Sequence, residues 1–247
     1  MQYTYLLINF FTIFIPFIFS FHPKIRFDKK WRYFFPAVIL VAVLFIIWDD
    51  IFTSLGVWQF NDDYILGIYL FNLPLEEILF FICIPYSCVF TFYCLDKFYN
   101  LKWNSRIEAI YCIVFSLLLL VVGVFFIDRI YTSITMFTTA AVCLTLKFLS
   151  KVDWFGKATF VYSILLIPFV IVNGILTGSW IESPIVSYNP AENMGIRLLT
   201  IPVEDIFYGF EMILLNIYFM KLFEKKWAGK EEELVEVNST NVKSRLK

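Results

Sequence analysis

Seven apolar runs, each close to the length of a membrane-spanning helix, dominate this sequence. A helix needs roughly 20 apolar residues to cross the hydrocarbon core of a bilayer. The chain is 60% hydrophobic and only 17% charged, a balance typical of polytopic membrane proteins. We therefore predict an all-α integral membrane protein with seven transmembrane helices, over Tyr3–Phe21, Phe35–Leu55, Pro74–Leu95, Ile107–Ile127, Ile130–Leu149, Ala158–Thr177 and Pro202–Leu222.

The basic residues predict the orientation of these helices. If the first, third and fifth loops and the C-terminal tail are cytoplasmic, that side holds 18 of the 20 Lys and Arg residues. Positive charge is enriched in cytoplasmic loops, so we expect the N-terminus outside and the C-terminus inside. Only Arg129 and Arg197 then lie on the outer side.

Two similar boxes, Pro74-Leu75-Glu76-Glu77 and Pro202-Val203-Glu204-Asp205, each open an apolar run. Proline is favoured at the first turn of a helix, and acidic side chains suit its positive dipole end. An ordinary helix start that happens to recur is one interpretation. The other is functional, because ionisable groups at membrane depth are costly and mark candidate sites.

The boxes also indicate an internal repeat, since they lie 128 positions apart and each opens the third helix of a three-helix unit. An odd fourth helix between the units restores the direction of the chain, so we predict two parallel repeats with both boxes on one side of the membrane. The predicted divisions are a first three-helix repeat at 1–96, a linking helix at 97–129, a second three-helix repeat at 130–224, and a polar, partly disordered cytoplasmic tail at 225–247.

The boxes bring together residues suited to acid–base chemistry. Four carboxylates in a low-dielectric site cannot all stay ionised, so a neutral acid and an ionised base can coexist there. Asp49 and Asp50 add carboxylates within the second span, and Glu211 lies deeper on the last helix, where we rank it below the boxes. Aromatic side chains within a turn of the boxes could stabilise a carbocation, although packing is the commoner role of such residues.

A resemblance follows from the boxes, the repeat and the segment from Trp48 to Trp58. Together they resemble the fused membrane lycopene cyclases, the single-chain form of the heterodimeric bacterial carotenoid cyclases, akin to archaeal cyclases and to the cyclase domain of fungal bifunctional enzymes. One departure is Asn173-Gly174 in the second repeat, where the first has Asp49-Asp50. The resemblance implies catalytic roles for Glu76, Glu77, Glu204 and Asp205. We also predict substrate contacts from residues in or near the boxes and the Trp48 segment, namely Asp49, Trp48, Phe80, Phe81, Phe207, Tyr208, Pro74 and Pro202.

The implied reaction is the redox-neutral closure of acyclic carotenoid ends, as in lycopene, to β-type rings. It needs no cofactor, and the single histidine and the absence of a C-x-x-C motif argue against a metal site. The implied location is the inner cell membrane, with contact to lipid and to other carotenoid enzymes. The net charge of −1 argues against a nucleic-acid partner.

Two other classes remain open at this stage. A UbiA-like prenyltransferase would use Asp-rich motifs to hold magnesium and pyrophosphate, and Asp49-Asp50 and Asp62-Asp63 superficially qualify. Those motifs lie on the side with few basic residues, which is unfavourable for a diphosphate. A non-enzymatic carotenoid-binding or transport protein would also fit parallel repeats with intramembrane acids.

Overall fold

A computed structural model describes the backbone of residues 2–245 and the side chains of residues 2–229. This part of the chain is helical apart from short two-stranded pairings in the loops, which confirms the predicted all-α class. The α-helices are α1 (Thr4–Ser20), α2 (Trp31–Ser54), α3 (Leu75–Phe98), α4 (Ser105–Phe125), α5 (Ile130–Leu144), α6 (Phe155–Leu176) and α7 (Glu204–Arg245).

Six of the described helices are long and apolar enough to cross a membrane, whereas α1, with 17 residues, is a shorter apolar helix. A wide π-helical turn, Thr145–Leu149, extends α5, and α7 continues well past the predicted end of its span at Leu222. The predicted disorder of the polar tail falls largely on residues 230–247, whose side chains lie outside the described part.

Both boxes start helices, as the sequence predicts. Pro74 is the extended residue immediately before α3, and Glu76 and Glu77 lie in its first turn. Pro202 ends a short strand two residues before α7, whose first turn carries Glu204 and Asp205. The acidic residues therefore lie at the positive end of each helix dipole.

The loops before the boxes form matching pairs of short strands. These are β1 (Trp58–Phe60), β2 (Tyr69–Leu70), β3 (Leu73–Pro74), β4 (Val186–Tyr188), β5 (Arg197–Leu198) and β6 (Ile201–Pro202). Strand β2 pairs with β3, and β5 pairs in the same way with β6, 128 positions further along the chain.

Strands β1 and β4 join the two repeats. They are antiparallel, with Gln59 opposite Ser187 at the centre. The flanking backbone bonds are equivalent: the N–H of Asn61 donates to the carbonyl of Ile185 at 2.9 Å, and that of Asn189 donates to Val57 at 2.8 Å. Two copies of one strand paired in this way are related by an approximate two-fold axis, so the boxes lie at the same end of the bundle.

The helices of the two repeats pack crosswise. Helix α1 packs on α3 and α5 packs on α7 within each repeat, but α2 packs more extensively on α7 of the other repeat than on α3. Helix α4 packs mainly against α5. At the end of the bundle opposite the boxes, ion pairs join Lys30 to Glu224 and Lys157 to Asp96. The two repeats therefore form one bundle.

Candidate active site

The structure divides the four boxed carboxylates into two pairs. Glu76 and Glu204, both fully buried, turn toward the loops that precede their helices. The Oε1 atom of Glu76 accepts a hydrogen bond from the backbone N–H of Leu66 at 2.7 Å, and that of Glu204 accepts one from Met194 at 2.8 Å. Because neither side chain lines the central cavity, this pair holds the loops against the helix starts.

Glu77 and Asp205 point the other way and accept hydrogen bonds from tyrosines. The hydroxyl of Tyr5 donates to Glu77 Oε2 at 2.5 Å, and that of Tyr131 donates to Asp205 Oδ1 at 2.5 Å. Tyr5 and Tyr131 occupy equivalent first turns, of α1 and α5, so these contacts repeat the two-fold arrangement.

Asp205 has one more donor than Glu77. The hydroxyl of Tyr188 donates to its Oδ2 atom at 2.9 Å, whereas the residue equivalent to Tyr188 in the first repeat is Phe60, which has no hydroxyl. Burial and the neighbouring Asp205 raise the pKa of the Tyr188 phenol well above its ordinary value. Tyr188 is therefore a neutral hydrogen-bond donor at neutral pH, and the two halves of the site are chemically different.

An apolar cavity of about 610 Å³ lies between the repeats and contains Glu77 and Asp205. Asp49 of α2 is the third carboxyl group in its lining, and its Oδ2 atom is buried without a hydrogen-bond partner among the described residues. The described lining contains no Lys, Arg or His. Carboxylates that share one apolar site repel one another, so the three groups favour a mixture of protonated and ionised states.

Only some of the predicted substrate contacts line the cavity. Phe80 and Tyr208 line the cavity, with Trp58 and Phe60. Trp48 packs against Phe45 and Tyr208 behind the lining. Phe81 and Phe207 also lie outside the cavity lining, and Phe207 packs on Phe115. Pro74 and Pro202 lie outside it too, in strands β3 and β6.

The other described acidic residues that were singled out from the sequence do not line the cavity. Asp50 accepts hydrogen bonds from the backbone and side chain of Asn72, both at 2.9 Å, and Asp62 accepts one from Tyr69 at 2.5 Å. Glu211 accepts hydrogen bonds from Thr138 and Thr139 of α5. Of the two aspartate pairs that suggested a pyrophosphate site, only Asp49 reaches the cavity, which disfavours the prenyltransferase alternative.

Sequence reasoning missed Tyr5, Tyr131 and Tyr188, although it did predict Tyr208. Tyr5 lies 72 positions from Glu77, and the contact becomes visible only when the helices pack. A signal did exist, because the two repeats carry Tyr5 and Tyr131 near the start of equivalent helices. An alignment of the repeats would have marked both residues.

These contacts form a buried cluster of carboxyl groups and phenols around one cavity. A proton donor and a proton acceptor can coexist among the three carboxyl groups, and aromatic faces surround the space between them.

Comparison with known proteins identifies one family. The family model for lycopene cyclase matches residues 2–95 and 128–223, which are the two repeats without most of the linking segment. No curated protein and no solved structure matches the chain significantly. The family match covers both boxes, the cavity tyrosines and most of the sequence, and the chain therefore belongs to the lycopene cyclase family.

Proposed function

We propose that this protein closes the acyclic ends of lycopene, or of a related carotenoid, into β-type rings without net oxidation or reduction. The observation that carries the proposal is the cavity itself. It brings Glu77 of one repeat, Asp205 of the other and Asp49 into a single apolar space large enough for an isoprenoid end. Family membership supplies the substrate class, a carotenoid.

The reaction balances with proton transfers alone. A carboxylic acid adds a proton to the terminal double bond of the carotenoid end and forms a tertiary cation. The neighbouring double bond supplies its electron pair to that cation, and a six-membered ring closes. A carboxylate then removes a proton from the ring carbon that bears the polyene, which gives the β-type ring. Because one proton is added and one is lost, we expect no cofactor.

The hydrogen bonds favour one assignment of roles. Asp205 accepts from two phenols, Tyr131 and Tyr188, which suits it to hold negative charge beside the cation and to act as the base. Among the three carboxyl groups that line the cavity, Asp49 is the one with a buried oxygen that lacks a hydrogen-bond partner, which suits it to carry the proton, with Glu77 in the same lining. Glu76 and Glu204 are positioning residues in this assignment.

The aromatic lining would stabilise the intermediate. Trp58, Phe60, Phe80 and Tyr208 present ring surfaces to the same cavity. A desolvated cation gains roughly 1–2 kcal/mol from each well-placed aromatic face. The apolar walls also keep water from trapping the cation as an alcohol.

Pigment analysis of lycopene-producing cells that express the protein tests this proposal. We expect the wild type to convert lycopene to cyclic products, and the Glu77→Gln and Asp205→Asn variants to lose activity by about 10²–10⁴-fold, the usual contribution of a general acid or base. Glu211→Gln is the matched control, because Glu211 is a buried carboxyl group on α7, the helix of Asp205, and it does not line the cavity. Full activity in both cavity variants would contradict the proposal.

The location and partners follow from the same proposal. Lycopene dissolves in the bilayer, so we place the protein in the inner cell membrane as a multi-pass enzyme that takes its substrate from lipid. Contact with other carotenoid enzymes would shorten the path of the substrate between them.

A further inference from the structure

The cavity opens on one side of the bundle. Among the described residues that line it, all those that are also exposed lie on α1 or α6. Leu7, Phe11 and Ile15 recur every four residues and form one stripe on α1, and Pro168 and Ile171 lie on α6. We call this opening, bounded by these five residues, the lateral portal. It faces the side of the molecule that a bilayer would cover.

The cavity is also elongated along the bundle. Its lining on α3 begins at Glu77 and extends to Thr91. Fourteen residues of α-helix cover ~21 Å at 1.5 Å per residue. A C40 polyene is about as long as the hydrocarbon core is thick, ~30 Å. A carotenoid whose reacting end lies at the carboxyl groups therefore cannot be enclosed, and its far end must leave through the portal.

The equivalent space in the other half is filled. In the approximate two-fold arrangement, α2 corresponds to α6 and α7 corresponds to α3. Helix α2 packs closely against α7, whereas α6 packs loosely against α3 and leaves the cavity between them. The rings of Phe45, Trp48 and Tyr208 contact one another there, with centroids 5.0–5.8 Å apart. The approximate two-fold axis therefore relates one open space to one closed space, and the site accepts one chain end at a time.

We propose that the lateral portal between α1 and α6 admits the carotenoid from the bilayer end first and holds the unreacted polyene at the protein–lipid boundary. This inference rests on the proposed function, because it assumes that the carboxyl groups act on one end of the polyene. It predicts that the second ring requires release of the half-cyclised molecule, reversal and re-entry. The monocyclic product is therefore free to exchange with the membrane pool.

Tryptophan substitutions across the portal test the route in liposomes that contain lycopene. Ile15→Trp and Ile171→Trp would obstruct the portal, and Ile18→Trp and Ile167→Trp are matched controls on the exposed faces of the same helices outside the lining. We expect the portal variants to raise KM about tenfold, the cost of moderate overpacking, and the controls to stay within about twofold. Equal KM values in all four tryptophan variants would overturn the proposal.

A chase experiment tests the single-ended site. Labelled lycopene is supplied first and an excess of unlabelled monocyclic carotenoid is added early in the reaction. Dilution of the label in the bicyclic product supports the proposal, whereas fully labelled bicyclic product overturns it.

The failure of the portal and the failure of the proposed function can be told apart. If the wild type forms no cyclic product, the proposed function fails. The portal is then tested by the amount of lycopene that co-purifies with each full-length variant. Less pigment on Ile15→Trp than on Ile18→Trp supports the portal. Equal amounts on both overturn it and leave lipid as the occupant.

Discussion

At the scale of single residues, the two halves of the site differ in the hydroxyl group of Tyr188 and in the carboxyl group of Asp49, which Asn173 replaces in the second repeat. Tyr188 donates to Asp205, and its equivalent, Phe60, gives Glu77 no second donor. A duplicated chain in which both halves were identical would hold two equal carboxyl groups. The proposed acid–base chemistry needs them to be unequal, and Tyr188 and Asp49 are the residues that provide the difference.

The Tyr188→Phe variant tests this asymmetry. Hydrogen bonds to charged groups contribute roughly 1.5–3 kcal/mol, so we expect turnover to fall by about 10–100-fold, with the protein still folded. Tyr64→Phe is the matched control, since Tyr64 is buried in the same loops and does not line the cavity. Turnover measured in liposomes separates the two variants. Equal turnover for Tyr188→Phe and the wild type would show that the phenol does not act on Asp205.

The sequence predicted part of the site at this scale. The boxes marked Glu77 and Asp205 because paired carboxylates at membrane depth are unusual. Pattern alone could not separate them from Glu76 and Glu204, since consecutive residues on a helix point about 100° apart and only packing decides which one faces the cavity. Tyr5 was not predicted because its partner, Glu77, is distant in the chain and only packing brings the two together.

At the scale of secondary-structure elements, a buried ion pair holds the linking helix. The π-helical turn after α5 places Lys147 Nζ 2.8 Å from Glu108 Oε2 of α4, and the other Glu108 oxygen accepts from the backbone N–H of Gly156 at 2.7 Å. Both charged side chains are at most 10% exposed. Glu108 thereby connects α4 to α5 and to the start of α6.

The Glu108→Gln variant should destabilise the fold without changing the chemistry. Breaking a buried pair leaves an uncompensated charge on Lys147 and typically costs about 3–5 kcal/mol. We expect a clear fall in the thermal unfolding temperature in detergent, with normal turnover per folded molecule. Asp28→Asn, which breaks the exposed pair with Arg26, is the control and should leave the unfolding temperature unchanged. Equal unfolding temperatures for the two variants would contradict this account.

Hydropathy predicted the elements well because each span must be continuously apolar. The helix starts at the boxes were also correct, since proline followed by acidic residues has few other local structures. The π-helical turn was not predicted, because its stabilising ion pair joins residues 39 positions apart. The strand pair between β1 and β4 was missed for the same reason.

At the scale of the whole molecule, neither repeat holds a complete site. Asp49 and Glu77 come from the first repeat, and Asp205 and Tyr188 come from the second. Because α2 of the first repeat packs on α7 of the second, each repeat stabilises the other. The repeat and its common side were predictable from the spacing of the boxes, whereas the crosswise packing depends on side-chain fit that the spacing does not encode.

A split protein tests this dependence. The chain is cut after Asn100, between α3 and α4, and the two fragments are expressed separately or together. We expect cyclisation only when both are present, because the helices and the β1–β4 pair rebuild the cavity across the cut. Fragments that carry Asp205→Asn in the second part are the control and should stay inactive when they are combined. Activity from either fragment alone would contradict the composite site.

The central claim is that ring closure proceeds by addition of one exchangeable proton and loss of another from carbon. The most direct measurement is the mass of the product formed by the purified protein from lycopene in deuterium oxide, with no added cofactor. A carboxylic acid that exchanges with solvent would deliver deuterium, so we predict a cyclic isomer of lycopene that carries one deuterium atom for each ring. A cyclic product without deuterium, or no cyclic product at all, would contradict the account.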